Sequence, residues 1–303
     1  MTLFGTLHTP TSSRPGAPAV VLLSPGIKMR VGPGRLYVPL TDALNADGYS
    51  VLRFDFYGLG DSFGELEERF LPDVYNNIEV GRYVDDALTA LEWLREHHGF
   101  SAFVLGGLCG GAITAVLTAE RDASVVGLLS IGMTVTLASN SATPAKYLTR
   151  KEIDMRRRGY YRRLWKPRAW WRFLTLQSEY DVIWRSMTQL VFGANPPPSR
   201  APDLTPVKEA GAEEKGNANP LFPGAFFSLL ERGGKALLLF SGNDRQEAEY
   251  DEKFAQRYAE RLQHYSSQVD RHLVANANHV LSLREWQDEM IGVSLKWMAK
   301  FDN

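Results

Sequence analysis

Short apolar runs alternate along this chain with stretches of helical spacing, and that alternation limits what it can fold into. Ala19-Val20-Val21-Leu22-Leu23 is apolar and partly β-branched, bounded by Pro18 and by Ser24-Pro25-Gly26. That pattern predicts a buried strand opening into a loop. Leu36, Leu40, Ala43 and Leu44 then recur at helical spacing over Leu36–Ala46, which ends near Gly48. Tyr49–Asp55 predicts the next strand. Gly81–His98 predicts a helix with Val84, Leu88, Leu91 and Leu94 on its apolar face. Phe100–Leu105 reads as a strand, Cys109–Arg121 as a helix and Val125–Ile131 as a strand. Late in the chain come strand Lys235–Phe240, helix Tyr250–His264, strand Val269–Val274 and a closing helix, Trp286–Phe301. Apolar strands alternating with helices imply a mostly parallel sheet covered by helices on both faces. In such sheets ligands bind beyond the carboxyl ends of the strands, so functional residues are expected directly after strands.

The rhythm breaks between about Ala138 and Ala225. Lys146–Met187 is basic, aromatic and helical in pattern, and a stretch rich in Pro, Gly, Ala and charge follows, including Pro196-Pro197-Pro198 and Glu209–Asn219. So few apolar residues predict a mobile loop. The expected organisation is a core of residues 1–137 and 226–303, with 138–225 inserted as a cap or lid. The sequence contains no internal repeats.

Composition narrows the function classes. A formal net charge of −1 over 303 residues gives no global attraction to nucleic acid or to a membrane surface. The single cysteine rules out an intrachain disulfide and a cysteine-rich zinc site, and fits a reducing compartment. The N-terminus lacks the basic and apolar regions of a signal peptide, and no apolar stretch is long enough for a transmembrane helix. The expectation is a cytoplasmic protein with no cofactor and no metal assigned.

The one cysteine stands in Gly106-Gly107-Leu108-Cys109-Gly110-Gly111, between a predicted strand and a predicted helix. A Gly-x-nucleophile-x-Gly turn needs small flanking residues, because side chains at those positions would strike the adjoining strand and helix. The helix that follows points its N-terminus at the sulfur, which favours a thiolate and an oxyanion. The alternative reading is a buried, inert cysteine beside a glycine turn. Two partners follow in the order such an elbow requires. Asp244, in Ser241-Gly242-Asn243-Asp244, comes after the strand Lys235–Phe240, and His279, in Asn276-Ala277-Asn278-His279, comes after the last strand. Glu247, Glu249 and Asp251 compete with Asp244 but lie further along. His8, His97, His98, His264 and His272 are placed before the core, at helix ends or within a strand. Two backbone donors are needed for an oxyanion. The Gly110 amide is one, and the loop after the first recognised strand supplies the other, at Ile27 in preference to Gly26. The loop Asp55-Phe56-Tyr57-Gly58-Leu59-Gly60-Asp61-Ser62 reads first as a turn held in shape by Asp55 and Ser62, and second as a substrate contact.

Together these residues resemble the α/β-hydrolase superfamily. Gly26–Arg35, Val51–Asp55 and the Gly-Leu-Cys elbow are similar to a bacterial subgroup, the exosortase-system-associated hydrolases, many of which also carry cysteine in the elbow. The resemblance implies an α/β-hydrolase fold, a Cys109, Asp244, His279 triad and acyl-transfer chemistry. Most members use serine. Cysteine occurs in dienelactone hydrolases, polyhydroxyalkanoate synthases and some thioesterases and Dieckmann-type cyclases, and can also arise by replacement of serine. A thiolate attacks thioesters and esters, and its acyl-enzyme remains reactive enough to pass on the acyl group. The expected function is therefore a thioesterase or acyltransferase acting on an acyl thioester. A carboxylic ester or lactone hydrolase, or a non-catalytic binding protein on the same fold, are the alternatives. From Lys146 to Arg172 there are eleven Lys or Arg and two acids, interleaved with Tyr147, Tyr160, Tyr161, Trp165, Trp170 and Trp171. Three readings stand for that stretch: a solvated basic face with buried aromatics, a surface for an acidic carrier protein or coenzyme A, and peripheral contact with anionic lipid.

Overall fold

The computed structural model describes residues 2–68, 71–137 and 217–301. Its strands are β1 (Gly5–His8), β2 (Ala19–Leu23), β3 (Val51–Phe54), β4 (Phe103–Leu108), β5 (Val125–Ile131), β6 (Lys235–Ser241) and β7 (Val269–Val274). They form one seven-stranded sheet in the order β1-β3-β2-β4-β5-β6-β7. Only β1 is antiparallel to its neighbour, and it closes the edge beside β3.

Alternate residues of the central strands feed separate apolar layers. Val21, Leu23, Leu105, Leu238 and Phe240 face one core. Val20, Leu22, Val104, Leu237 and Leu239 face the other. Burial on both faces is why these strands read as unbroken apolar runs. Helix α1 (Tyr37–Ala46) contributes Leu40 and Leu44 to the second core. To the first, α2 (Leu71–Glu79) contributes Val74 and Ile78, and α3 (Val84–His98) contributes Val84, Leu91 and Leu94. Helix α4 (Gly110–Arg121) is buried from Gly110 to Ala119, and α5 (Phe222–Glu231) packs on it with Phe222, Phe226 and Phe227 buried. The predicted helix Tyr250–His264 is broken into α6 (Gln246–Tyr250), a π-type turn at Asp251–Ala255 and α7 (Ala259–His264). The chain closes with α8 (Arg284–Met298), whose Met290, Trp297 and Met298 join α1 in the second core.

Two features position a site. First, the strand order reverses around β2: the chain goes from β2 outward to β3 and then returns to β4 on the other side of β2. The carboxyl ends of β2 and β4, on either side of such a reversal, are the usual ligand position in open α/β sheets. Second, the chain leaves the core after β5 and returns beside its own point of departure. Leu137 N donates to Asn217 O at 2.7 Å, Asn219 N donates to Val135 O at 2.9 Å, and Thr136 bridges Ala218 in antiparallel pairing. The Asn219 side chain anchors this neck by donating to Glu79 O at the end of α2 at 2.6 Å. The region between, including the basic aromatic stretch and nearly all of the predicted cap, lies outside the described residues.

Candidate active site

Cys109 joins β4 to α4 with φ 54° and ψ −111°, a conformation non-glycine residues rarely adopt. Its amide donates to Ile131 O at 2.9 Å, and its carbonyl accepts from Ala112 N and Ile113 N, starting the helix. The flanking glycines are required. A Cβ on Gly107 would sit within the Gly111 carbonyl group, and one on Gly111 would meet Leu23 O. Tyr37 adds a brace the sequence reading did not foresee. Its wholly buried hydroxyl donates to Leu23 O at 2.9 Å and accepts from Leu108 N at 2.6 Å, tying the ends of β2 and β4 together beneath the elbow.

The loops after β6 and β7 supply the other residues. They are tied to each other, Asn243 N donating to Ala277 O at 2.8 Å and Asn243 Nδ2 to Asn276 O at 2.7 Å. His279 Nδ1 lies 2.6 Å from Asp244 Oδ2. The imidazole also rests over Gly132, where φ is +57° and a Cβ would lie 3.6 Å from His279 Cε1. Burial alone would lower the His279 pKa. The hydrogen bond to Asp244, the hydrogen bond and charge of Cys109, and the Asp244 charge more than reverse that, raising it to about 10. His279 thus contacts the Asp244 carboxylate directly and lies close enough to Cys109 to feel its charge. Gln246, buried at the start of α6, closes the His279–Asp244 contact from behind. With its amide nitrogen toward Asp244 it donates to both carboxylate oxygens, and its oxygen accepts from His279 Nδ1 at 3.1 Å.

The competing acids are engaged elsewhere. Glu247 and Asp251 pair with Arg271, and Glu249 pairs with Arg245. Among the other histidines, His8 bonds Arg53, His97 meets Trp93 O, His98 packs on Trp93 and His272 pairs with Glu289.

The loop after β2 is fixed by Ser24 Oγ donating to Phe54 O at 2.8 Å, and its Gly26 takes φ +60°. This loop touches the elbow: a Cβ on Gly110 would lie 2.9 Å from Gly26 N. Among the described residues, neither the Ile27 nor the Gly110 amide donates to a protein acceptor. Tyr75 of α2 lies over Gly26, and its hydroxyl pKa is raised by burial and by the charge of Cys109. Thr134 reaches the sulfur itself, Oγ1 standing 3.6 Å from Cys109 Sγ. It follows the end of β5, so the rule that sites gather after strands was a signal for it; Tyr75 and Gln246 sit on helices and carried none. The Asp55–Ser62 loop is an internally braced turn. Asp55 accepts from Asp61 N and pairs with Arg30, while Ser62 Oγ donates to Asp55 O and accepts from Phe4 N. No group of three or more His, Cys, Asp or Glu among the described residues is arranged to hold a metal ion. No helix among them is long and apolar enough to cross a membrane.

A mostly parallel sheet with a sharp, positive-φ strand-to-helix turn at the strand-order reversal is the architecture of hydrolase-type α/β proteins. The family model described as "Alpha/beta hydrolase family" matches residues 20–292, and the chain belongs to that family. Similar solved structures include the proline iminopeptidase of Mycobacterium smegmatis, with TM-score 0.54 and 15% identity over 99% of this chain and 95% of that one. An esterase from Pyrococcus furiosus matches with TM-score 0.56 and 15% identity, over 99% and 86%. Est1E from Butyrivibrio proteoclasticus, solved with ferulic acid bound, matches with TM-score 0.51 and 12% identity, over 98% and 94%. At these identities the likeness is one of fold. No curated protein matches the chain.

Proposed function

We propose that the chain is an acyl-transfer enzyme, a thioesterase or acyltransferase that attacks acyl thioesters with Cys109, using His279 as base and Asp244 as the acid that orients it. The observation that carries this reading is the 2.6 Å bond between His279 and Asp244, on an imidazole coupled to the sulfur of a positive-φ elbow. Asp244 occupies Nδ1, which leaves Nε2 as the nitrogen for proton transfer. A cationic imidazole beside a thiol favours the thiolate, the attacking form.

In the proposed reaction the sulfur bonds to the substrate carbonyl carbon, and the carbonyl π pair moves onto oxygen. The amides of Gly110 and Ile27 receive that oxyanion. Its collapse expels the leaving thiolate, which takes the proton from His279, and leaves an acyl thioester on Cys109. An acceptor (water, alcohol or amine) then attacks that thioester while His279 removes the acceptor's proton, and the Cys109 thiolate departs. Because the intermediate is itself a thioester, it stays reactive toward acceptors that an oxygen ester would transfer to slowly. The Lys146–Arg172 stretch suits an acidic carrier protein or the phosphates of coenzyme A as the bearer of the acyl group.

The test is intact-protein mass spectrometry after incubation with acyl-thioester and ester panels, followed by product analysis with alcohol and amine acceptors. The expected result is an acyl adduct on the wild-type chain and none on a folded Cys109→Ala variant. Cys109→Ser should lose transferred product more than free acid. Turnover retained by Cys109→Ala would remove the cysteine from the mechanism. Free acid alone with every acceptor would exclude transfer, and a preference for oxygen esters would make the chain an esterase or lactone hydrolase.

A further inference from the structure

Thr134 follows β5 and is nearly buried, 6% exposed, with its hydroxyl 3.6 Å from the Cys109 sulfur. Among the described residues that hydroxyl has no other partner. A buried hydroxyl needs a hydrogen bond, and here the reacting atom provides it. The stretch Gly132–Thr134 borders both reacting groups: Gly132 lies against the His279 ring and Thr134 against the sulfur.

We infer that Thr134 is a further catalytic residue, donating a hydrogen bond to the Cys109 sulfur that holds it in its attacking rotamer and stabilises the thiolate. The inference rests on the Cys109–His279 reading and adds to it a donor that is not part of the triad. Direction follows from chemistry. A thiol and a hydroxyl can each donate, but a thiolate only accepts, so in the attacking form the proton must come from Thr134. The elbow needs such a donor. The backbone of Cys109 is fixed by α4 and Ile131, yet its side chain still rotates about χ1, and a sulfur turned away from His279 is not placed to react with it or with the substrate. The hydroxyl selects the productive rotamer and adds a charge-assisted bond once the proton has left.

Thr134→Val keeps the shape and removes the hydroxyl; Thr134→Ser keeps the hydroxyl; Thr134→Ala serves if valine impairs folding. Because the chain has one cysteine, alkylation by iodoacetamide, followed by intact mass from pH 5 to 10, reports this sulfur alone. The ionisable groups around the sulfur are His279 with Asp244 behind it, Tyr75 from α2 and Tyr37 from α1. All are unchanged in the Thr134 variants, so a shift among those variants belongs to the hydroxyl. The expected result is that valine and alanine move the alkylation profile up by about one pH unit, which is about a tenfold slowing on its rising limb, as loss of a hydrogen bond to a charged group should. Serine should stay close to wild type. Profiles of the valine and alanine variants that coincide with wild type, in protein with unchanged unfolding, would overturn the inference. So would a serine profile displaced as far as valine's, which would assign the effect to packing. His279→Gln run alongside keeps the two readings apart. If it leaves the profile untouched, the Cys–His coupling fails, while the Thr134 series still reports on the hydroxyl.

Discussion

At the scale of single residues, strain and charge meet at one point. Holding a non-glycine residue at φ 54°, ψ −111° costs about 1–3 kcal/mol, and the surrounding structure must over-determine it. Here it does so through Gly107, Gly111, Ile131 O and the start of α4. The charge side is read from pH. His279 binds its proton with a pKa of about 10 in the folded chain, against an ordinary value of 6.5. Between those values the folded state holds more protons than the unfolded state, so unfolding free energy falls as pH rises. The stabilisation is complete below about pH 6.5 and is lost as pH climbs through about 10. Urea unfolding of wild type and His279→Gln across that range should therefore show a gap that narrows with rising pH. A constant gap would mean that the proton His279 gains is matched by one that Cys109 gives up, as in a thiolate–imidazolium pair, or that the imidazolium is not held at all.

At the scale of elements, Tyr37 is the joint between α1, β2 and β4. Tyr37→Phe leaves Leu108 N and Leu23 O buried without their shared partner, and an unsatisfied buried polar group costs about 1–3 kcal/mol. Thermal unfolding should fall accordingly, and Cys109 alkylation should slow because the elbow loses its support. Unchanged stability would show that water or a backbone shift replaces the phenol. The sequence carried much of this layer. The bounds of β5 follow from its apolar run, and those of β7 agree with the sequence reading although Asp270, Arg271 and His272 interrupt it. The Cys109, Asp244 and His279 positions were legible because each sits just past a strand, where the fold concentrates chemistry. Other elements were not. The predicted strand stopped at Leu105 because glycines signal turns, yet β4 runs on through Gly106, where the side chains of Leu22 and Leu129 crowd the space a Cβ would need, and Gly107, where the Gly111 backbone does. The edge strand β1 is half-exposed and too short to show a period, and α2 begins with Leu-Pro and buries only Val74, Ile78 and Glu79. The core after the insertion was read from residue 226, whereas α5 starts at Phe222 with Pro223 in its first turn, and the neck pairing starts at Asn217. Tyr37, Tyr75 and Gln246 were invisible for a different reason: their roles depend on which elements meet in space, not on local pattern.

At the scale of the whole molecule, the sheet, both cores and the proposed catalytic chain are assembled from residues on either side of the neck. Replacing 138–216 by a short Gly-Asn hairpin turn should leave a chain that folds and whose Cys109 is still alkylated at neutral pH. Turnover of carrier-bound thioesters should drop by at least tenfold if the basic stretch bears the carrier. Circular dichroism, alkylation and turnover check this together, and a replacement that fails to fold would place part of the core's stability in the removed region. The neck has an evolutionary side as well. Chain ends already joined by a hydrogen bond of 2.7 Å make the core almost indifferent to how much sequence lies between them, since each doubling of a loop adds only about 0.6 kcal/mol of closure entropy. Lineages can therefore lengthen, trim or exchange what lies between these two chain ends while the sheet and its sharp turn at Cys109 are inherited untouched.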